Sequence, residues 1–335
     1  MSTTPSPRPL LPLETALALW LAGTRTVAPL PCAPEEGVGA VLAADVVAAG
    51  DVPSAALARR AGVAVCAADT IGASPYAPAL CLAPPLRVAA GAALPPGCDA
   101  ILPEDALSDG PIPEILAEVA PGTDVRRAGE DAREGAVLLA AGHRLRATDA
   151  AALAGLGVAT VSVRRPRVRL VGLPALAPLV VALGGVSVPE AADLVLVRGG
   201  AERGVDETIV AEGLALRPGE TTRLARDAHG VLVARLPALE GDALGAARAQ
   251  VPPAPAAPAG AQPSAPLGAP LAEPITSTVG LTEVALLART GAGHVPLAVG
   301  DPSLAAFARA DAYALVPPEA EGYAGTAILD ARPLP

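Results

Sequence analysis

The chain has 335 residues and a formal net charge of −10, long enough for two or more domains and a sizeable core. Hydrophobic residues make up 52% and aromatics only 1%, so the core must be built from Ala, Val and Leu, with Trp20 and Phe307 as rare large fillers. An acidic chain with no basic stripe and no interleaved aromatics excludes a nucleic-acid surface, and a mean hydropathy of +0.46 spread over scattered residues rather than one long run excludes a membrane span.

The first predicted element is a helix over 13–22, with Leu13, Leu17, Trp20 and Leu21 on one face and Gly23 to end it. The start before it, rich in proline and lacking a basic region, reads as neither signal peptide nor anchor, and a cytoplasmic protein is expected. "GVGAVLAADVVAAGDVP" predicts a helical turn leading into a strand. Short strands and proline turns follow to Asp131, with strands on both sides of Pro95-Pro96-Gly97. The cysteines, Cys32, Cys66, Cys81 and Cys98, show no metal-ligand spacing and read as small buried hydrophobes in a reducing compartment. A short helix is predicted from Thr148, its N-cap, to Gly157, then a strand over 158–163. "RVRLVGL", "ALAPLVVALGG" and "ADLVLVRGG" give strand, helix and strand, the order of a parallel α/β unit, and "GVLVARL" adds a strand. "VPPAPAAPAGAQPSAPLGAP" (251–270), without charge, reads as a semi-stiff linker before a β-patterned end. No lysine or asparagine occurs, and the bias toward Ala, Arg, Gly and Pro points to a GC-rich coding sequence, which weakens propensity as evidence.

Several stretches, in order, resemble one family. "GAVLAADVVAAGDVP" is similar to GRVLAEDV…D-P, and "LRVAAGAALPPGCDAIL" to TGAPLPxGADAVV. "VAPGTDVRRAGEDAREGAVLLAAGHRL" is similar to PGxNVRxxGEDxxxGxxxLxxGxxL, the strongest of the set. "ALAGLGVATVSVRRPRVRLVG", "ADLVLVRGG", "LRPGET" and "ARADAYALVPPEAEGYAG" continue the series. The family is the MoeA-type molybdopterin molybdotransferases, and the resemblance spans most of residues 10–335. It implies a mixed α/β multidomain fold: a linker domain of 10–50 and 132–165, a β-rich inserted domain of 51–131, a shortened α/β domain of 166–250, the Pro/Ala linker, and a small β domain of 271–335. It also implies a homodimer, and a reaction in which adenylylated molybdopterin and molybdate meet with a divalent cation such as Mg²⁺ and AMP leaves.

The departures bear on activity. Against the family's D-x-P-x-x-x-x-S-A-M-D-G-Y-A loop, Asp51, Pro53, Gly62 and Ala64 match, but Ala58 stands at the serine, Ala61 at the aspartate and Val63 at the tyrosine. The acidic pair of S-T-G-D-E-L becomes Ala175 and Leu176. The S-G-G-V-S loop reads Arg198, Gly199, Gly200, Ala201, Glu202, without its serines, and Glu220 takes the lysine position of P-G-K-P. The L-P-G-N-P loop survives only as "LPALEG", and one strand–helix step of the central domain looks to be missing.

By this resemblance Asp131 is the surviving candidate for catalysis and for a cation, against the plainer reading that it caps a turn after Gly129. Asp206 is a second candidate acid. Glu130, Arg198, Gly199 and Gly200 are candidates to hold an anionic pterin phosphate through charge and backbone N–H groups. His143, His229 and His294 have no ligand spacing and read as ordinary surface or turn residues. The foremost expectation is a catalytically degenerate MoeA-like protein that binds molybdopterin or a cofactor intermediate, or pairs with an active MoeA-type paralogue or a molybdoenzyme. The alternatives are an active transferase with a rearranged site and a structural or interaction module without cofactor.

Overall fold

The structure, a computed structural model, describes residues 9–81, 83–108, 110, 112–200, 206–250 and 267–334. The chain forms two compact units: a larger one of 1–44, 141–151 and 159–335, and a smaller one of 45–140 and 152–158. Among the described residues no helix is long and apolar enough to cross a membrane. The bulk of the expected linker, 251–266, lies outside the described residues, but its last four form the strand Leu267–Pro270, paired antiparallel with Ile328–Pro333.

In the larger unit, helix α1 (Leu13–Leu21) buries Leu13, Ala16 and Trp20, a three-and-four spacing that sets one stripe inward. Trp20 is fully buried and its indole Nε1–H donates to the Ala225 carbonyl at 2.8 Å, which satisfies its one polar atom. Arg226 donates to the Trp20 and Ala22 carbonyls at 2.6 and 2.5 Å, closing the end of α1 with a cation where helix carbonyls are unpaired.

Two sheets share the core of this unit. In the first, Val186–Ser187, Arg167–Val171, Leu194–Arg198 and Leu232–Leu236 lie side by side in parallel. Arg223–Arg226 and Thr208–Glu212 extend it antiparallel, so the expected parallel unit ends in a mixed sheet. The strand–helix–strand step runs through α3 (Ala177–Ala182), and Leu194–Arg198 is apolar nearly throughout because both faces are covered. In the second sheet, Leu11–Pro12, Leu214–Arg217, Thr282–Thr290, Ala312–Val316, Ile328–Pro333 and Leu267–Pro270 follow in order, with Gly293–Val299 also on Thr282–Thr290. The C-terminal strands therefore continue a sheet that begins near the N-terminus. One cluster, with Trp20, Leu176, Val180, Leu216, Leu286 and Tyr313 among its members, packs these layers together with helix α4 (Glu240–Gln250).

The smaller unit is β-rich. Leu86–Val88 and Ala100–Leu102, the strands on either side of Pro95-Pro96-Gly97, do not pair with each other; each pairs antiparallel with Gly62–Val65 between them. The two strands read on either side of that turn are thus separated by a strand from an earlier segment. All four cysteines are free and only partly buried.

Helix α2 (Ala147–Gly155) starts one residue before the expected cap. Thr148 lies inside it, and the capping group is Asp149, which accepts the Arg146 backbone N–H at 2.9 Å. The same carboxylate, 6% exposed, is forked by the Arg146 guanidinium at 2.6 and 2.9 Å and bonded to His143 Nε2 at 2.7 Å. His143 is therefore more than an ordinary surface histidine. The Arg146 side chain does most to hold the Asp149 carboxyl far below the usual carboxylate range; burial opposes it, and His143 and the backbone N–H add to it. A carboxylate whose acidity rises on folding contributes stability above its unfolded pKa, near 4, and loses it as pH falls below that value. Asp149→Asn is expected to lower stability at pH 7 by about 2 kcal/mol and to flatten the acid limb below about pH 4. Urea midpoints between about pH 2 and 7 check this, and parallel curves for the two proteins contradict it.

Candidate functional site

The Gly129-Glu130-Asp131 bend is built in the smaller unit, against Asp51-Val52-Pro53. The Gly129 N–H donates to the Pro53 carbonyl and the Asp131 N–H to that of Val52, both at 2.9 Å. Asp51 Oδ1 accepts the Glu134 N–H at 2.9 Å. Gly129 has φ +68, and a Cβ there would lie 3.2 Å from Asp51 Cγ and 3.3 Å from Arg133 Cγ. The D-x-P and G-E-D pieces of the resemblance are thus two sides of one backbone joint.

Both acids in the bend are engaged. Asp131 is ion-paired with Arg126, and 29% of its side chain is exposed. Glu130 is ion-paired with Arg59 and accepts the Arg127 N–H at 2.8 Å. That backbone bond does most to hold the Glu130 carboxyl below its ordinary range; partial burial opposes it, and Arg59, Arg126 and Arg127 add to it. Arg60, next to Arg59, pairs with Asp124 at 2.6 Å. The loop that carries an aspartate in the family's pattern here carries two arginines, of which Arg59 pairs with a carboxylate of the bend and Arg60 with Asp124.

Three of the substituted positions, Ala58, Val63 and Leu176, are packing positions. Ala58 is buried, and Val63 is buried at 1% exposure. A Cβ on Gly62 would meet the Leu102 carbonyl oxygen at 2.5 Å, so this match to the family is steric. Ala61 and Ala175 are exposed, without a carboxylate. Leu176 joins the main core beside Val180, at 3% exposure, so a carboxylate there would be buried among aliphatic groups.

In the larger unit, Arg198 Nε donates to the Ala238 carbonyl at 2.9 Å, and Nη2 lies 3.4 Å from Glu240 Oε1. It ties the end of its strand to the segment that stands in for L-P-G-N-P. A Cβ on Gly199 would meet the Leu236 carbonyl oxygen at 2.8 Å, so the missing side chain allows a backbone approach to the neighbouring strand. Gly200 has φ +86 and nothing within 4 Å of its Cβ position. Asp206 is exposed at a turn, and Glu202 lies outside the described residues.

Sequence reading did not anticipate a group of carboxylates around the turn Arg217-Pro218-Gly219-Glu220. Glu220 accepts from Arg217 Nε at 2.8 Å and from the Gly219 N–H at 3.2 Å. Burial acts most strongly on Glu220 and would raise its pKa, but Arg217 and the backbone donors outweigh it and the net direction is down. Arg217 also lies 3.7 Å from the buried Glu283, which accepts from Ser277 Oγ at 2.8 Å and the Thr278 N–H at 2.9 Å. Asp242, in the first turn of α4, is pushed up by burial and then by the charges of Asp301 and Glu220. "LRPGET" and "LPALEG" thus meet at one place, and the signal for it was two degraded motifs, each read singly. Even so, among the described residues no three His, Cys, Asp or Glu groups are placed to hold a metal ion together. The donor set does not fit a resident divalent cation, at Asp131 or here.

Residues 11–157 match the family described as the MoeA N-terminal region, domains I and II. The fold is similar to the molybdopterin biosynthesis MoeA protein of Pyrococcus horikoshii OT3, at TM-score 0.80 and 22% identity over 97% of this chain and 100% of that one. Another structure of a molybdopterin biosynthesis MoeA protein, from Pyrococcus horikosii, gives TM-score 0.71 and 22% identity over 96% of this chain and 99% of that one. A molybdenum cofactor biosynthesis protein of Pyrococcus furiosus gives TM-score 0.63 and 18% over 97% and 100%. The chain has a MoeA-like fold.

Gly129→Ala forces a Cβ into the left-handed region and against Asp51, and is expected to destabilise the smaller unit by about 1–2 kcal/mol. Hydrogen exchange at the Gly129, Asp131 and Glu134 amides reads this locally; unchanged protection would show that the bend does not depend on the glycine.

Proposed function

We propose that this chain is a MoeA-type protein that acts in molybdenum cofactor biosynthesis or handling, as a catalytically degenerate member that holds molybdopterin or a later intermediate, or delivers it to a partner. The observation that carries this reading is the fate of the acids. Ala61, Ala175 and Leu176 offer no carboxylate, and the surviving Asp131 is ion-paired with Arg126. Electrostatic preorganisation supplies most of the acceleration in phosphoryl chemistry, and groups that act as a unit do not survive piecemeal. Asp131 would have to release Arg126 to serve a cation or a water, and Arg198 would have to give up Glu240 to take a phosphate. In this reading the chain is cytoplasmic and acts as a homodimer, or beside an active MoeA-type paralogue or a molybdoenzyme.

A second reading, a working transferase with a rearranged site, draws on Glu220, Asp242 and Asp301, because burial and like charge push Asp242 toward the protonated form that a general acid needs.

AMP release from adenylylated molybdopterin with molybdate and Mg²⁺, measured beside a standard family member, separates the two. The degenerate reading expects a rate at least about 10³-fold lower, with molybdopterin binding retained in a direct titration. A rate comparable to the standard member and abolished by Asp131→Ala or Asp242→Ala overturns it. Absence of binding to molybdopterin or AMP leaves neither reading standing.

A further inference from the structure

The smaller unit holds a partly open cavity of about 420 Å³, walled mainly by apolar groups that include Val65, Leu80, Leu86 and Ile115. Three of the chain's four cysteines, Cys66, Cys81 and Cys98, line it, and all three are free and only partly buried. Asp69 is the carboxylate in its lining. The strand ladder explains how two of the thiols meet. Gly62–Val65 pairs with Ala100–Leu102 as far as Val65 and Ala100. Beyond that pair the Asp99 N–H donates to the Val65 carbonyl at 3.0 Å, and the Ala67 N–H to Asp99 Oδ1 at 2.7 Å. The chain leaving one strand at Cys66 therefore stays beside the chain that enters the other at Cys98. Cys98 packs against the cluster of Ala64 and Ile101. Cys66 is extended and two residues on from Ala64, so it falls on that same side. Cys81 packs with the cluster on the opposite side, and its Sγ donates to the Ala83 carbonyl at 3.1 Å. Burial does most to push the Cys98 thiol up, and the charges of Cys66, Asp99 and Asp69 add to it.

A cysteine that serves only as a small hydrophobe lies in a core, out of reach of reagents. These thiols face a space of the size that small ligands occupy. With Asp69 they are not placed to hold one metal ion together, so the chemistry open to them is that of sulfur itself. Their surroundings are acidic. From 61 to 125 the sole Lys, Arg or His is Arg87, against eight Asp and Glu residues, and Arg87 lies 3.7 Å from Glu104. Such a field draws cations and repels anions.

We propose that this cavity is a thiol-exchange site that takes a small cationic disulfide, R–S–S–R, at Cys66, with Cys98 as the second thiol. Cys81 is tied to the Ala83 carbonyl and burial keeps Cys98 protonated, which leaves the first attack to Cys66. Cys66 gives up its proton and its sulfur attacks the disulfide. A Cys66–S–S–R bond forms, the S–S bond of the ligand breaks, and R–S⁻ leaves and takes up a proton. Cys98 then gives up its proton and attacks the Cys66 sulfur, which forms a Cys66–Cys98 disulfide and releases the second R–SH. Two cysteines are oxidised, and one disulfide is reduced to two thiols. The site shares no residue with the Gly-Glu-Asp bend or the Arg198 segment.

The test exposes the full, reduced chain to two disulfides of like length and opposite charge, cystamine and dithiodipropionate, and locates the products by peptide mapping. Cystamine is expected to react at least about tenfold faster, at Cys66 before Cys32, with a preference that shrinks as salt is raised. The wild-type chain should go on to the Cys66–Cys98 disulfide, whereas Cys98→Ser should stop at the mixed disulfide on Cys66. Asp69 is exposed, so Asp69→Asn keeps the test open if Cys98→Ser does not fold; it should lower the preference for cystamine. No reaction, equal rates for the two reagents, or first reaction at Cys32 overturns the proposal. So does a wild-type product in which Cys66 keeps its adduct and Cys98 stays free, or a preference that Asp69→Asn leaves unchanged.

Discussion

Arginine is the only side-chain cation of fixed charge in this chain, and much of the structure is organised by that fact. A guanidinium presents a planar fork of donors that matches a carboxylate or a row of carbonyls, which an ammonium group does not. Arg226 closes the end of α1 on two carbonyls, and Arg146 forks the carboxylate that caps α2. Arg235 forks Glu207 with two bonds at 2.7 and 3.1 Å, where both side chains are nearly buried. Arg167 does the same for Asp193 at the start of the parallel strands. The same chemistry that fastens these elements also occupies the acids of the Gly-Glu-Asp bend. An acid held in this way is a fastening first, and its availability to a substrate depends on what the arginine would do without it.

The scarcity of large side chains is the second constraint. Where Ala, Val and Leu fill a core, backbones must come close, and glycine marks the places. Gly62 lies against the Leu102 carbonyl and Gly199 against that of Leu236, at separations that no side chain could share. Both are matches to the family's pattern, and both are explained by packing before any ligand is considered. Leu176 shows the converse. A position that is acidic in the family's pattern faces the main core here, so the loss of charge has been turned into buried apolar area.

Much of this architecture was legible in the sequence. The period of Leu13, Leu17 and Trp20 marked α1, and the largely apolar runs at 194–198 and 232–236 marked two parallel strands, because buried strands need no alternation to be recognised; 167–171 starts instead with the alternation of a strand exposed on one face. What stayed hidden was non-local. Nothing in "LRVAAGAALPPGCDAIL" says that Gly62–Val65 will lie between its two strands. Nothing near Glu220 says that Asp242 and Asp301 will share its surroundings. The cap of α2 was missed for a local reason: Thr148 has the better side chain for an N-cap, but Asp149 one residue later reaches back to an N–H and also meets Arg146 and His143. A backbone N–H, a guanidinium and an imidazole on one carboxylate outweigh the preference of one residue type.

The contrast between a well-kept bend and missing acids has a physical explanation. The joint of Asp51-Val52-Pro53 with Gly129-Glu130-Asp131 is closed largely by main-chain groups: Gly129 N–H to Pro53, Asp131 and Ala132 N–H to Val52. Those bonds require a glycine at positive φ and little else, so selection on folding alone preserves the motif. Of its side chains, Asp51 accepts the Glu134 N–H and Glu130 the Arg127 N–H, both within the turn itself. Catalytic carboxylates have no such second duty. At exposed positions Ala61 and Ala175 cost the fold nothing, and Leu176 adds to the core. A motif can therefore be the most recognisable part of a chain for reasons of backbone geometry, whatever side chains stand beside it.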